Sequence, residues 1–289
     1  METQGLWSNN VPRQFDSEDH LYERIEEMLD MIDISNKYST IYYKSSTLYS
    51  QEINNTIFVE WLYDYSCCEL RDLKKELMIK IEKAIELDDD QYMIERESIQ
   101  IYDKLKKIFL VSLIKENDFC VWTTNDYYDI KRRFLLHYDS KDDFLNNVGE
   151  CYQHIYFENT IKRSLNSLNN TFNNLKYEIV NHLKMLDEYY EMFLKHRSLG
   201  TDNRMLSNDF SEFSGIECSP QASRSKTREL TRTFYSDIVK ENITLCCELH
   251  TKFKNYNRDR EKQDRIYFHP GVLGVHDGKI IVIHIGSHI

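Results

Sequence analysis

The chain has 289 residues, of which 41% are hydrophobic and 13% aromatic; this is enough for one large domain or two and excludes a wholly disordered protein. No stretch approaches the eighteen or so apolar residues of a membrane-spanning helix, and the first residues lack the basic and apolar regions of a secretory signal. We therefore expect a cytoplasmic protein, and a net charge of −11 excludes one that coats nucleic acid non-specifically.

The seven cysteines give no sign of a disulfide framework or of a structural zinc site. Their number is odd, they include two adjacent pairs, and none has Cys-x-x-Cys spacing. His284 and His288 are four residues apart, but on a strand that spacing does not bring two side chains together as it does on a helix. We expect free thiols, no metal and no cofactor.

Charge and turn residues divide the chain in two. Residues 1–216 carry 25 Lys and Arg against 39 Asp and Glu, whereas residues 217–289 carry 12 against 9. Between Pro12 and Pro220 there is no proline, and glycine is nearly absent from the first two hundred residues. Because both residues interrupt helices, their scarcity favours long helices in the first part.

Apolar residues at intervals of three and four predict a series of helices in that part. Leu21, Ile25 and Met28 begin the first, after a capping residue at Ser17. The predicted helices span residues 17–32, 70–85, 101–112, 125–135 and 140–148.

The longest predicted helix spans residues 170–197 and has a coiled-coil pattern. Its seam residues alternate in steps of three and four; they are Phe172, Leu175, Ile179, His182, Leu186, Tyr189 and Phe193. Such a seam packs against helices of its own domain more often than against a second copy, so a homodimer through residues 172–193 is the less favoured arrangement. His182 is then a packed or hydrogen-bonded residue rather than a ligand.

These patterns predict an α+β protein in which a large, mostly α-helical body precedes a small domain with an antiparallel sheet. The body covers residues 1–199, a polar linker covers 200–216, and the small domain covers 217–289. Its predicted strands are 265–269 and 279–285, with Asp-Gly as a turn signal before the second.

The alternation of side chains on these strands places ionisable side chains close together. Arg265, Tyr267 and His269 share one face of the first strand, and alternation on the second strand puts Ile280, Val282 and His284 on one face. Five of the ten histidines lie in the last forty residues. A lone histidine on a strand is more often a satisfied core residue, but several imidazole and basic groups on one small sheet indicate a site.

The chemistry suited to this set is RNA cleavage without a metal ion. That reaction needs a base for the 2′-hydroxyl, an acid for the leaving 5′-oxygen, and cations for the phosphorane. Histidine and tyrosine can transfer the protons, while arginine and lysine bind phosphate. The carboxylates of residues 217–289 form no recognisable metal motif.

The same residues carry a resemblance to a known family. Arg228 and Arg232-Thr-Phe, His250-Thr-Lys, Arg265-Ile-Tyr-Phe and the segment from Gly278 to His288 resemble a C-terminal domain of bacterial toxin-like and phage-defence proteins, similar to RelE/barnase-type endoribonucleases. The resemblance covers about the last seventy residues. Ile283 replaces a glycine of that pattern, Ser287 a frequent lysine, and Ile289 a leucine.

The resemblance implies a toxin-like effector of an anti-phage defence system, with RNA as substrate and a sensor ATPase or an antitoxin as protein partner. The candidate catalytic residues are His250, Arg265, Tyr267, His284 and His288, and the candidate phosphate-binding residues are Arg232 and Lys252. The acidic body also fits a non-enzymatic scaffold or adaptor of a defence complex. A DNA-acting partner of a larger complex stays open as well.

Overall fold

The computed structural model describes residues 1–10, 18–53, 56–67, 69–100, 107–113, 117–221, 226–254 and 262–289. These residues form two compact units, Met1–His137 and Tyr138–Ile289. Within the described part of the chain, every helix is too short or too polar to cross a lipid bilayer.

The first unit is built on a five-stranded parallel sheet. In chain order its elements are β1 (Gln4–Trp7), α1 (Glu18–Asn36), β2 (Ile41–Ser45), β3 (Glu52–Ile53), β4 (Thr56–Ile57), α2 (Phe58–Tyr63), α3 (Arg71–Glu82), β5 (Ile85–Leu87), α4 (Asp89–Gln100), β6 (Ile108–Val111), β7 (Cys120–Val121) and α5 (Thr124–Leu135). The sheet has the order β5-β2-β1-β6-β7, with all neighbours parallel. Strands β3 and β4 form a separate antiparallel hairpin.

The sequence of the first unit accounts locally for its short buried strands and for the start of one of its helices. All four residues of β6 are buried, as expected for a central strand covered on both faces. Gly5 on β1 lets the Tyr42 ring of β2 approach, since a Cβ atom there would lie 2.5 Å from it. Helix α5 begins with a capping box, in which Thr123 and Asp126 bond each other's backbone N–H groups.

The predicted fold class is wrong, because residues 1–199 do not form a helical body. The scarcity of glycine and proline misled the prediction, since parallel strands are connected by helices and need few such turn residues. Ser39 and Lys107 adopt positive φ where glycine is more usual. In the predicted helix 101–112, residues 101–106 lie outside the described residues and 108–111 form β6.

The second unit combines helices with a mixed sheet. Its elements are α6 (Lys141–Val148), β8 (Ile155–Phe157), α7 (Ile161–Ser164), α8 (Phe172–Glu188), α9 (Tyr190–Ser198), α10 (Asn203–Ser214), β9 (Cys218–Pro220), β10 (Thr231–Ser236), β11 (Glu241–Cys246), β12 (Leu249–Lys252), β13 (Arg265–His269) and β14 (Ile280–Gly286). The five-stranded sheet has the order β8-β14-β13-β12-β9. Its pairs are antiparallel except β8 and β14. Strands β10 and β11 form a hairpin.

The sequence predicted that the C-terminal sheet forms a small, separate antiparallel domain. That prediction is wrong. The sheet includes β8 from far upstream and belongs to the same unit as α8, α9 and α10. The compact units divide after His137, whereas the sequence placed a linker at residues 200–216. Residues 203–214 of that segment form α10, which Asp202 caps at its start and Gly215 ends at φ 67°.

The predicted helix 170–197 is present as α8 and α9, with a break at Tyr189. All seven predicted seam residues are buried within the second unit, so they are not available as an exposed dimer seam. The prediction that His182 is a packed, hydrogen-bonded residue is confirmed: its Nδ1 lies 3.0 Å from the Thr251 hydroxyl of β12.

Candidate functional site

Three neighbouring strands bring His250, Tyr267 and His284 into one row. His250 of β12 pairs with Tyr267 of β13, and Tyr267 pairs with His284 of β14. The ring centroids are 4.8 Å apart in the first pair and 5.6 Å in the second. Directly paired residues on adjacent strands point to the same face, so this row is a consequence of the sheet register.

An irregularity in β14 gives the row its alignment. Tyr267 pairs with His284, but the next residue, Phe268, pairs with Val282, so Ile283 is an extra residue on β14. Such a bulge shifts the alternation of side chains. Because Tyr267 and Phe268 point to opposite faces, His284 and Val282 do as well. The prediction that these two residues share a face is wrong for this reason.

Arg265 lies at one end of the row and is almost fully buried, with 8% of its surface exposed. Its Nη1 donates a hydrogen bond of 3.3 Å to the Tyr267 hydroxyl. Its Nε is buried without a hydrogen-bond partner, and among the described residues the guanidinium forms no ion pair. A buried cation is costly unless an anion or acceptors compensate it. This geometry suits a bound anion.

His250 is a neutral imidazole held in one tautomer. Its Nδ1 lies 3.3 Å from the Glu248 carbonyl, which can only accept, so Nδ1 carries the proton. Its Nε2 lies 3.3 Å from the Ser219 hydroxyl and is the acceptor. Burial, reinforced by the charge of Arg265, lowers the pKa of His250 to about 3.

His284 has the opposite tautomer. Its Nε2 lies 2.8 Å from the carbonyl oxygen of Ser287 and donates to it, which leaves the lone pair on Nδ1. Burial lowers the pKa of His284, and the contact with Ser287 partly opposes that effect. The pKa of Tyr267 is raised by burial, although Arg265 counteracts the shift. Near neutral pH the two histidines are thus free of an extra proton, and the phenol keeps its own.

The two predicted phosphate-binding residues have carboxylate neighbours. Arg232 Nε lies 3.8 Å from Glu158 Oε2, and Arg232 Nη1 donates to two backbone carbonyls. Lys252 forms a salt bridge with Glu217. Neither cation is therefore unpaired, in contrast to Arg265.

Exposure divides the site into an inner and an outer part. Arg265, His250 and Tyr267 are buried, the last two at 2% and 0% exposure. His284 and His288 are half-buried. The charge of His288 contributes to the lowered pKa of His250, so the two side chains belong to one neighbourhood. His284 and His288 are thus the more exposed members of the site.

Several residues of this site were not predicted from the sequence. Glu158 follows β8 and reaches Arg232 from far upstream, because β8 pairs with β14. Ser219 reaches His250 from the edge strand β9. Neither residue has a local motif that could have identified it. Among the described residues, no three His, Cys, Asp or Glu side chains are grouped as a metal site would require.

Comparison with protein-family models, with curated proteins and with solved structures finds no match to this chain.

Proposed function

We propose that the second unit cleaves RNA without a metal ion, as a toxin-like effector of a bacterial anti-phage defence system. The observation that supports this most is the buried Arg265 guanidinium, which has no ion-pair partner among the described residues and lies in a row with two neutral histidines and a tyrosine. A phosphodiester supplies the missing negative charge, and the neighbouring rings supply groups that accept and donate protons.

The tautomers suggest how the roles are divided. His284 presents an Nδ1 lone pair on a half-buried ring, so it is the base for the 2′-hydroxyl. The Tyr267 hydroxyl, which keeps its proton and bonds Arg265, protonates the leaving 5′-oxygen. The 2′-oxygen bonds to phosphorus as the bond to the 5′-oxygen breaks, giving a 2′,3′-cyclic phosphate and a 5′-hydroxyl.

Arg265 binds the phosphate and stabilises the phosphorane in this proposal. His250 acts as a positioning residue: its ring packs beside Tyr267 and, being neutral, adds no second charge next to Arg265. Arg232 can contribute at the outer edge, since its 3.8 Å contact with Glu158 is loose enough to exchange for phosphate. Substrate reaches the buried part past His284 and His288.

The direct test is incubation of the purified full chain with total RNA in the presence of EDTA. We expect cleavage by the native chain and a loss of about 10²- to 10⁴-fold in rate for His284→Asn, the range typical of a lost general base. His276→Asn is the matched control, because His276 is also half-buried but stacks on Tyr156 instead. Circular dichroism would show that both variants fold.

Two results would contradict the proposal: no cleavage by the native chain under any condition, or the same rate for both variants. Expression in bacterial cells tests the effector role separately. Growth arrest that His284→Asn relieves and His276→Asn does not is the expected result. An inert native chain would favour the scaffold instead.

A further inference from the structure

The hairpin of β10 and β11 has an inner face that lies beside the candidate site. Its register places four half-buried side chains on this face; they are Arg232, Phe234, Ile243 and Leu245. The three apolar ones pack against the buried cluster that contains Tyr267. In addition to burial, the charge of Arg232 lowers the pKa of His284. The hairpin is therefore a neighbour of the row of histidines and tyrosine, and Arg232 is its nearest cation.

The outer face of the same hairpin is open to solvent. It carries four exposed side chains; they are Thr233, Tyr235, Asn242 and Thr244. The Tyr235 ring is 54% exposed and lies directly opposite the Asn242 amide. An exposed aromatic ring offers a flat surface, and the hydroxyl and amide groups around it can donate and accept hydrogen bonds. Unpaired nucleobases are bound by this combination of groups.

The turn before β10 adds positive charge to this face. Residues 226–232 contain three Lys and Arg against one Glu. Arg228 is exposed, and among the described residues neither Lys226 nor Arg228 forms an ion pair. The Thr231 hydroxyl, which is on the outer face, donates to the Thr227 carbonyl at 2.7 Å and holds the turn against that face. Cations that the fold does not neutralise can pair with the phosphates of a nucleic-acid backbone.

The basic turn and the exposed ring are close enough to contact one strand of nucleic acid. Four residues separate Thr231 from Tyr235, which is about 14 Å along a strand. We propose that the outer face of this hairpin binds single-stranded RNA next to the cleavage site, with a base stacked on Tyr235 and a phosphate on Arg228. In a duplex the bases are already stacked and paired, so only a single strand can use the ring.

This inference rests on the proposed RNA cleavage, and it specifies single-stranded RNA as the substrate. Binding and cleavage can nevertheless fail separately. RNA whose 2′-hydroxyl groups are all methylated has no 2′-oxygen that can attack, so it reports on binding alone.

The test is fluorescence anisotropy of the full chain with a short, labelled single strand of this methylated RNA. We expect the native chain to bind it, and Tyr235→Ala to bind it about tenfold more weakly, a loss typical of one stacking contact. A duplex of the same sequence should bind at least tenfold more weakly than the single strand. Tyr177→Ala is the matched control, because Tyr177 is likewise exposed but lies on α8. It should bind as the native chain does.

Arg228→Ala tests the phosphate contact in the same assay. It should weaken binding and make the dependence of log K on log salt concentration shallower by about 0.7, the contribution of one phosphate of a single strand. Arg204→Ala, which removes an exposed arginine of α10, is its control and should leave the slope unchanged.

Cleavage kinetics give a second readout that a merely structural role would not produce. With a longer unmodified RNA, Tyr235→Ala should raise KM about tenfold and leave kcat nearly unchanged. The reason is that a contact remote from the reacting phosphate is equally strong in the ground state and in the transition state.

Three results would overturn the proposal. The first is no binding of the methylated single strand by the native chain. The second is native affinity in both Tyr235→Ala and Arg228→Ala, including the case in which Tyr235→Ala alters only self-association of the chain in sedimentation. The third is equal affinity for the duplex and the single strand. Binding that both variants weaken, without cleavage of any RNA, would support this surface and refute the proposed cleavage.

Discussion

Buried positive charge is compensated in the first unit but not at Arg265 of the second. In the first unit, the fully buried Lys131 ammonium lies 4.0 Å from the centre of the Tyr38 ring, and the Arg132 guanidinium bonds the Asp129 carboxylate at 2.9 Å. In the second unit, the only side-chain partner of the Arg265 guanidinium among the described residues is the Tyr267 hydroxyl. A cation that is compensated within the fold is structural, whereas one that is not compensated is available to an anion.

The buried polar atoms that lack a hydrogen-bond partner also differ between the two sheets. Among the described residues near the carboxyl edge of the parallel sheet, the buried atoms without a hydrogen-bond partner are the Trp7 indole nitrogen, the Asn9 amide oxygen and the Tyr49 hydroxyl. In the mixed sheet, the unpaired atom is a guanidinium nitrogen beside imidazoles. The second arrangement leaves a buried positive charge, which an anion would compensate.

Substitution of Arg265 should have the largest effect of any single change. We expect Arg265→Met to lower single-turnover cleavage of RNA by about 100-fold or more, because a stabiliser of the transition state is lost. Its free energy of unfolding should stay the same or rise, since an unpaired buried charge is removed. Arg265→Lys should retain part of the activity, because it keeps the charge but not the planar guanidinium.

Arg204→Ala is the control for this series, because Arg204 is exposed on α10. It should cleave at the native rate. If Arg265→Met instead unfolded the chain, Arg265 would be structural and the contrast between the two units would not hold.

Acid should destabilise the second unit. Burial lowers the pKa of His182 and His250 to about 3 and that of His269 to about 4. In the unfolded chain these rings regain a pKa near 6.5, so between these values the unfolded state binds more protons. The stability that the neutral rings contribute is fully present above pH 6.5 and is lost as the pH falls towards 3. The slope approaches about 1.4 kcal/mol per pH unit for each histidine.

Hydrogen exchange of the full chain at pH 7 and pH 5, read by mass spectrometry, would resolve the two units. The second unit should lose protection at pH 5, and His182→Gln should reduce the difference. Protection in residues 138–289 that does not change with pH would argue against neutral buried histidines.

A smaller effect is expected at Asp264, which is fully buried directly before β13. Its carboxylate accepts from the backbone N–H and the side-chain amide of Asn169. Asp264→Ala leaves these donors without an acceptor and should lower the free energy of unfolding by about 1–3 kcal/mol. Urea denaturation measures this, and Asp264→Asn, which keeps one acceptor, should cost less. Equal losses for both variants would indicate that the hydrogen bonds contribute little.

The smallest predicted difference compares two helix starts, one in each unit. Thr123 caps α5 through its side chain, whereas Thr171 precedes α8 without a capping bond from its side chain. Thr123→Ala should lower the free energy of unfolding by about 1 kcal/mol, and Thr171→Ala should change it less. Thermal denaturation of both variants measures these two losses of stability. A larger loss for Thr171→Ala than for Thr123→Ala would contradict the prediction.

Local signals identified part of the fold from the sequence. The apolar spacing of residues 21–32 gave α1, and Ser140 gave the start of α6. The predicted strand 265–269 is confirmed as β13, and the one at 279–285 as β14, shifted by one residue. Each of these elements is specified by residues within one short segment.

The parallel sheet could not be predicted in the same way. Its strands have two to five residues, too few for alternation to be recognised. Strands β1 and β6 pair across about a hundred residues, so their pairing depends on tertiary packing. The near absence of glycine and proline was a true observation, but it does not distinguish a helical bundle from helices that connect parallel strands.

The candidate site shows the same limit. The sequence named the residues that form the row, His250, Tyr267 and His284, but not the bulge at Ile283 that aligns them. It also placed Arg232 and Lys252 as phosphate ligands, without their partners Glu158 and Glu217. The sequence therefore identified the residues of the site, but it did not predict the strand register or the long-range ion pairs.

The chemical ends of the cleaved RNA test the central claim most directly. A short RNA with one labelled cleavage position, treated with the full chain in EDTA, should yield a 2′,3′-cyclic phosphate and a 5′-hydroxyl. The same RNA with a 2′-deoxy sugar at that position should resist cleavage. A 3′-hydroxyl and a 5′-phosphate, or cleavage of the 2′-deoxy substrate, would contradict an attack by the 2′-oxygen at the Arg265 site.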